Sequence, residues 1–210
     1  MDILRPLVLD PGKPQETKVR LSADDRMIEI FARPRLSGAE WSLHARAGFR
    51  TPAAPPEAQD LASGAPDDLR ISHDTIYEMT RAHGLGYGEA FRLAEHADIV
   101  NERTAVLALR PASNEDASRP FSLHPALADA GFHGLFALLS THEKSQTGGG
   151  FLPVRAGTAE LFAPSAHPAS VVITIERASP RSILASFLYL DADGAPVARL
   201  SGVRFKAVHF

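Results

Sequence analysis

Residues 125–140, PALADAGFHGLFALLS, constrain this chain more than any other stretch of it. Their apolar side chains (Ala126, Leu127, Ala130, Phe132, Leu135, Phe136, Leu138, Leu139) fall nearly all round a helical wheel instead of along one stripe. A helix that is apolar on every side has to be enclosed by other structure. Pro125 suits its first position, where no backbone N–H is needed. A bilayer cannot be the enclosure, because a span takes about 20 apolar residues. The covering must come from the chain itself.

The flanking segments alternate with the period of strands. Before the helix, short runs at 7–9, 17–21, 27–31 and 41–46 are separated by turn signals, Asp10-Pro11-Gly12 and Leu36-Ser37-Gly38 among them. Residues 51–70 hold Pro52, Pro55, Pro56, Gly64 and Pro66 with no period, which predicts a linker. A short helix is predicted over 74–83, with Ser72 or Asp74 as its cap and Gly84 as its stop. Strands follow at 97–100 and 104–109, joined at Asn101-Glu102-Arg103. After the apolar helix, strands are predicted at 154–162, 171–177, 182–190 and 197–208, the last two as a hairpin around Asp193-Gly194. An antiparallel sheet wrapped around one buried helix satisfies this order, so the expected class is α+β. The expected division is strands in 1–50, linker in 51–70, and the sheet-and-helix unit in 71–210.

Composition removes several functional classes. A net charge of -3 argues against a nucleic-acid binder, which would carry a basic face. With no cysteine there is no disulfide framework, no thiol nucleophile and no Cys-bound zinc. The first residues lack the pattern of a signal peptide, and a cytoplasmic protein away from membranes is expected. Nine histidines show no recognised ligand spacing, so no metal is expected. Ser72, Ser122 and Ser140 lack a G-x-S-x-G setting.

Two residues of the apolar helix are out of place, Asp129 and His133. Four apart, they share one face within hydrogen-bonding range. Desolvation favours the protonated form of a carboxyl carried into such a helix, while the helix N-terminus one turn away pulls the other way. The pair can serve as a general acid with its neighbour, or can simply satisfy its own hydrogen bonds. Gly131 and Gly134 on the same helix admit two explanations, close helix–sheet packing or room for an acyl chain beside Asp129.

At this point a family resemblance emerges. FSLHPALADAGFH (121–133) resembles the second active-site motif of polyketide synthase dehydratase domains, an HPALLDA-like stretch with Gln or His four residues after the Asp. GLGYGEAF (84–91) is similar to the family's GYGPxF segment, with Glu89 where Pro is usual. FLPVRAG (151–157) is similar to its LPxxxxG strand, and 41–46 to its W-x-x-H-A-x-G strand. The resemblance spans essentially the whole chain. It implies a double hot-dog, each half a sheet around its own helix, of which this chain would hold the second complete and the first in part. It also implies removal of water from a 3-hydroxyacyl chain on the phosphopantetheine arm of an acyl carrier protein, with no other cofactor. Carried over by position, Asp129 is the acid and His133 its hydrogen-bonding neighbour. Tyr87, Gly88, Phe91, Leu152 and Pro153 would bind substrate, and Arg155 would lie near the carrier.

One departure matters. The family's first motif, HxxxGxxxxP, has no match here; His44-Ala45-Arg46-Ala47-Gly48 with Pro52 misses by one residue and falls on the strand that closes the first half. The expectation is that the chain begins inside the first hot-dog, after its catalytic His. That His would then come from another segment, and the chain alone would dehydrate little. Apolar strand faces at Val19, Leu21, Ile28 and Ile30 would be uncovered, so a homodimer or a complex with the synthase segment supplying helix and His is expected. Other polyketide synthase domains are the implied partners. Two alternatives stand beside dehydration: a carrier-bound cyclase closing a ring by oxa-Michael addition, and a non-catalytic docking or scaffold module. A double-bond shift is disfavoured, since it leans on the same missing His.

Overall fold

The computed structural model describes residues 1–51, 54–57, 69–112, 121–140, 150–164 and 166–208. The first stretch holds β1 (Asp2–Ile3), β2 (Gln15–Ser22), β3 (Met27–Pro34) and β4 (Ser42–Gly48). Next come β5 (Arg70–Ser72), α1 (His73–Ala82), β6 (Ala94–Asn101) and β7 (Thr104–Leu109). They are followed by α2 (Pro125–Ser140), β8 (Gly150–Arg155), β9 (Thr158–Leu161), β10 (Ser170–Ser179), β11 (Ser182–Leu190) and β12 (Pro196–Val208). The strands pair antiparallel in one sheet of order β2-β3-β4-β1-β8-β12-β11-β10-β7-β6-β5, with β9 beside β12.

The helix predicted from its all-round apolarity is α2, with the expected bounds, and eleven of its 16 residues are buried. It is the filling of the sheet, packing on β6, β7, β10 and α1. This is the hot-dog arrangement, and the α+β expectation holds. Leu135 and Leu138 share one core with Ile173, Ile183, Phe187 and Phe205, while Ala126, Leu127 and Ala130 form a second cluster with Leu93. The two helix glycines exist for contact. A Cβ on Gly134 would stand 2.5 Å from Ile173 Cδ1, and one on Gly131 2.5 Å from the Tyr189 hydroxyl. Close packing is therefore sufficient reason for both, and neither opens room beside Asp129.

α1 starts and stops as its sequence directs. The Ser72 side chain accepts the Thr75 N–H, and Gly84 takes φ +81° just past the end. The Gly84 and Leu85 amides then donate to Arg81 and Thr80 carbonyls at 3.0 and 2.9 Å, a Schellman closure. The β11–β12 hairpin turns at Asp193-Gly194, with Gly194 at φ +78°.

Three expectations fail in detail. Leu7, Val8 and Leu9 form no strand and are exposed. Pro6 and Pro11 flank them without backbone donors, and the following Asp10–Lys13 turn leads away to β2. The single strand expected over 154–162 is two, β8 and β9, broken at Ala156-Gly157. A Cβ on Gly157 would stand 2.9 Å from the Ser201 carbonyl, so the chain there runs hard against β12. The short strands β1 and β5 were not expected at all. They carry too few residues to show a period, and β1 matters because it bridges β4 to β8 and so joins the two parts of the sheet. Most of the predicted 51–70 linker lies outside the described residues.

Candidate active site

Asp129 and His133 meet as their spacing requires: His133 Nε2 lies 3.1 Å from Asp129 Oδ2. Their surroundings differ sharply. The His133 side chain is fully buried, whereas a third of the Asp129 side chain remains exposed. The carboxyl is thus open to solvent beside an imidazole that solvent does not reach. Ala128, one residue before Asp129, is held by the buried Tyr189 hydroxyl, which donates to its carbonyl at 2.6 Å. That bond pins the first turns of α2 to β11. At the start of α2, His124 Nδ1 accepts the Ala126 N–H at 3.3 Å, which gives this histidine a capping role.

The GLGYGEAF segment delivers Tyr87 to the pair. Its ring lies with its centroid 3.9 Å from that of His133. Burial first, and then the nearby Asp129 carboxylate, hold the Tyr87 hydroxyl above the ordinary tyrosine range. Gly88 is exposed and precedes a short 3-10 turn, Glu89–Phe91. Position 89 is the first residue of that turn, where Pro or Glu alike leaves no backbone hydrogen bond of the turn unmade. Here Glu89 reaches forward to Arg92 at 3.0 Å. The Phe91 ring is partly exposed, and its carbonyl faces the site.

The structure adds a residue that the sequence reading missed, Tyr77 on α1. Its hydroxyl lies 3.0 Å from His133 Nδ1 and accepts the Ala94 N–H at 3.0 Å. Its ring meets Tyr87 and His133 edge-on, at 6.2 and 5.4 Å between centroids. Burial pushes this phenol up to about 12, against the Ala94 amide, which pulls it down. The signal for it was present: a tyrosine beside Ile76 on the apolar face of α1 needs a buried partner for its hydroxyl. Only the packing of α1 on α2 says that the partner is His133.

The remaining predicted residues sit elsewhere. Leu152, Pro153 and Arg155 are on β8, opposite Lys206, Phe205 and Arg204 of β12. Pro153 thereby borders Phe205, whose ring packs on Phe132 of α2 at 5.3 Å. Arg155 is largely exposed and pairs with Asp2 at 3.4 Å. His44 lies on β4, with Nδ1 3.3 Å from the Arg5 carbonyl. Asp129, His133, Tyr87 and Tyr77 form the connected group. It offers one part-exposed carboxyl, backed by an imidazole whose second nitrogen is tied down, between two phenols that stay protonated at neutral pH.

A family model described as the polyketide synthase dehydratase N-terminal domain matches residues 53–209. A spectinabilin polyketide synthase system protein, NorB of Streptomyces orinoci, is 31% identical over 212 residues, covering 94% of this chain and 9% of that protein. The naringenin synthase of Pestalotiopsis fici is 25% identical over 207 residues, covering 96% of this chain and 7% of that one. The chain thus spans less than a tenth of the length of these relatives. Among solved structures, a trans-AT polyketide synthase dehydratase domain from Brevibacillus brevis superposes with a TM-score of 0.81 at 17% identity, over 99% of this chain and 74% of that one. The dehydratase domain of PpsC from Mycobacterium tuberculosis, in complex with C12:1-CoA, gives 0.72 at 24% identity over 99% and 73%. These two likenesses concern the fold.

Proposed function

Because the chain belongs to the polyketide synthase dehydratase family, we propose that it takes part in removing water from a 3-hydroxyacyl chain held on the phosphopantetheine of an acyl carrier protein, giving the 2-enoyl thioester. The observation that carries this is a part-exposed Asp129 backed by a fully buried His133 at 3.1 Å. A general acid needs that asymmetry: one side open to the leaving group, the other held by a fixed neighbour. In the reaction Asp129 gives its proton to the departing hydroxyl, the C3–O bond breaks, and water leaves. Tyr87, Gly88 and Phe91 would steady the chain on one side of Asp129, with Leu152 and Pro153 further along β8.

The α-proton needs a base on the far side of the substrate. His133 is tied to Asp129 and Tyr77, and His44 is turned to the Arg5 carbonyl. In this reading a histidine on a separate segment supplies the base, in cis or in trans. The same segment would cover the apolar face at Val19 and Leu21, each 66% exposed. A second copy of the chain is the other occupant to test. Arg155 is a candidate contact for the carrier, and a cytoplasmic assembly with other synthase domains is the proposed setting. Among the described residues no helix is long and apolar enough to cross a membrane.

The test is mass spectrometry of a carrier-bound 3-hydroxyacyl chain, watching for loss of one water. The 210 residues alone should give little product, and adding the base-bearing segment should restore turnover. In that reconstituted system Asp129→Asn is expected to lower the rate by roughly 10²–10⁴-fold. Dehydration that survives Asp129→Asn would overturn the assignment. Robust dehydration by the chain alone would make His44 the first residue to mutate.

A further inference from the structure

We infer that Tyr77 is a positioning residue for the acid: by donating its hydroxyl proton to His133 Nδ1, it fixes the imidazole as the Nε2–H tautomer and so decides which oxygen of Asp129 carries the transferable proton. The inference rests on Asp129 being the acid.

Three polar atoms surround the Tyr77 hydroxyl: the Ala94 N–H at 3.0 Å, His133 Nδ1 at 3.0 Å and the Phe91 carbonyl at 3.4 Å. An amide can only donate, so the phenol oxygen is an acceptor there. Its single proton then has two possible acceptors, and the imidazole nitrogen is the closer by 0.4 Å, at a distance an O–H donor bridges, while the carbonyl lies beyond the usual range. The ring has little freedom to choose otherwise. Arg92 lies over its face at 4.8 Å, and the rings of His73, Tyr87 and His133 abut it edge-on. The phenol keeps its proton up to about pH 12, so the donor is always loaded at neutral pH.

With Nδ1 occupied as an acceptor, the imidazole proton sits on Nε2, 3.1 Å from Asp129 Oδ2. An N–H aimed at Oδ2 makes that oxygen an acceptor whether the carboxyl is ionised or not. A proton on Asp129 therefore resides on Oδ1. During transfer the Oδ1–H bond breaks, an O–H bond forms to the leaving hydroxyl, and the charge left on the carboxylate meets an N–H already in place. No reorganisation is needed at that moment. The opposite wiring is stereochemically available. Tyr77 would donate to Phe91, Nδ1–H would donate to Tyr77, and bare Nε2 would accept from a proton on Oδ2. That arrangement locks the transferable proton between Asp129 and His133. The same groups make a ready acid or a blocked one, and the Tyr77 hydroxyl selects between them.

The test is a long-range proton–nitrogen NMR correlation on the ¹⁵N-labelled 210-residue chain at neutral pH, with the His133 signals assigned by their loss in His133→Gln. The expected pattern is a pyridine-type Nδ1 and a protonated Nε2. A proton on Nδ1, or on both nitrogens, overturns the inference without recourse to any Tyr77 variant. Tyr77→Phe keeps the ring and removes the hydroxyl, and it should abolish the Nε2–H preference; an unchanged tautomer overturns the inference equally. In a system reconstituted with the base-bearing segment, Tyr77→Phe should lower kcat by about tenfold or more while leaving KM in place, a fraction of a full general-acid effect. A change confined to KM counts against positioning. Failure of the proposed dehydration would appear as no turnover from the unmutated protein, whereas failure of this inference appears in the tautomer.

Discussion

Strands β3 and β11 are written in similar alternation and end in different surroundings. In β11, Ile183, Ala185, Phe187 and Tyr189 are all buried in the core that encloses α2. In β3, Ile28 and Ile30 alternate in the same way but are only half-buried, and their cross-strand partners Leu21 and Val19 on β2 are each 66% exposed. The other face of β2–β4 is occupied by its own side chains. Lys18 stands over Phe31 and Trp41 at 5.3 and 4.6 Å, and Arg33 over Trp41 at 4.4 Å. Long cationic stems can cover aromatic rings in this way, but nothing comparable lies over Val19 and Leu21 among the described residues. Alternation assigns residues to faces; burial takes a second layer, which β10–β12 have in α2.

The contrast predicts a gradient of mutational cost. Leu138→Ala in the enclosed helix should lose about 2–5 kcal/mol, read from the urea midpoint with an unchanged slope. A loss much below that would mean that the core around α2 collapses freely, and the contrast with β2 would shrink. Gly134→Ala comes next, because its methyl must displace Ile173 Cδ1 from 2.5 Å, at about 1–3 kcal/mol. Ile173→Val removes that atom, so the double variant should recover part of the loss, a coupling that two independent sites would not show.

Alkaline pH probes the junction of the helices. Folded Tyr77 keeps its proton to about 12 against an ordinary value of 10.0, so the unfolded chain ionises first. The stability linked to this phenol is fully present below pH 10 and is lost as pH rises through about 12. Tyr77→Phe should flatten that part of the fall when unfolding is followed by circular dichroism; an identical pH profile would place the phenol in solvent. The smallest effect is expected at the open end. Val19→Ser and Leu21→Ser should change the stability of the chain by no more than about 0.5 kcal/mol. A cost near that of Leu138→Ala would mean that this face is already covered, and the comparison between the two ends would fail.

Much of this could be read from residues alone. The bounds of α2, the hairpin at Asp193-Gly194 and the stop at Gly84 rest on local rules of proline, glycine and period, and each appears where those rules put it. The Asp129–His133 contact follows from i,i+4 geometry on a helix. Tyr77 escaped notice because its partner lies 56 residues away and reaches it only through the packing of α1 on α2. The run Leu7–Leu9 misled because three apolar residues show neither a period nor a neighbouring strand.

By itself, then, the sequence determined that one helix must be enclosed, that strands must enclose it, and that a carboxyl and an imidazole share one of its faces. These are consequences of hydrophobicity and of backbone periods that act within a few residues. Tertiary structure alone decided that Gly131 and Gly134 serve contact with Tyr189 and Ile173, and that β1 joins the two parts of the sheet. It also placed a phenol from another helix on the far nitrogen of His133. Those outcomes depend on which surfaces meet across many residues of chain, and no local pattern encodes such a meeting.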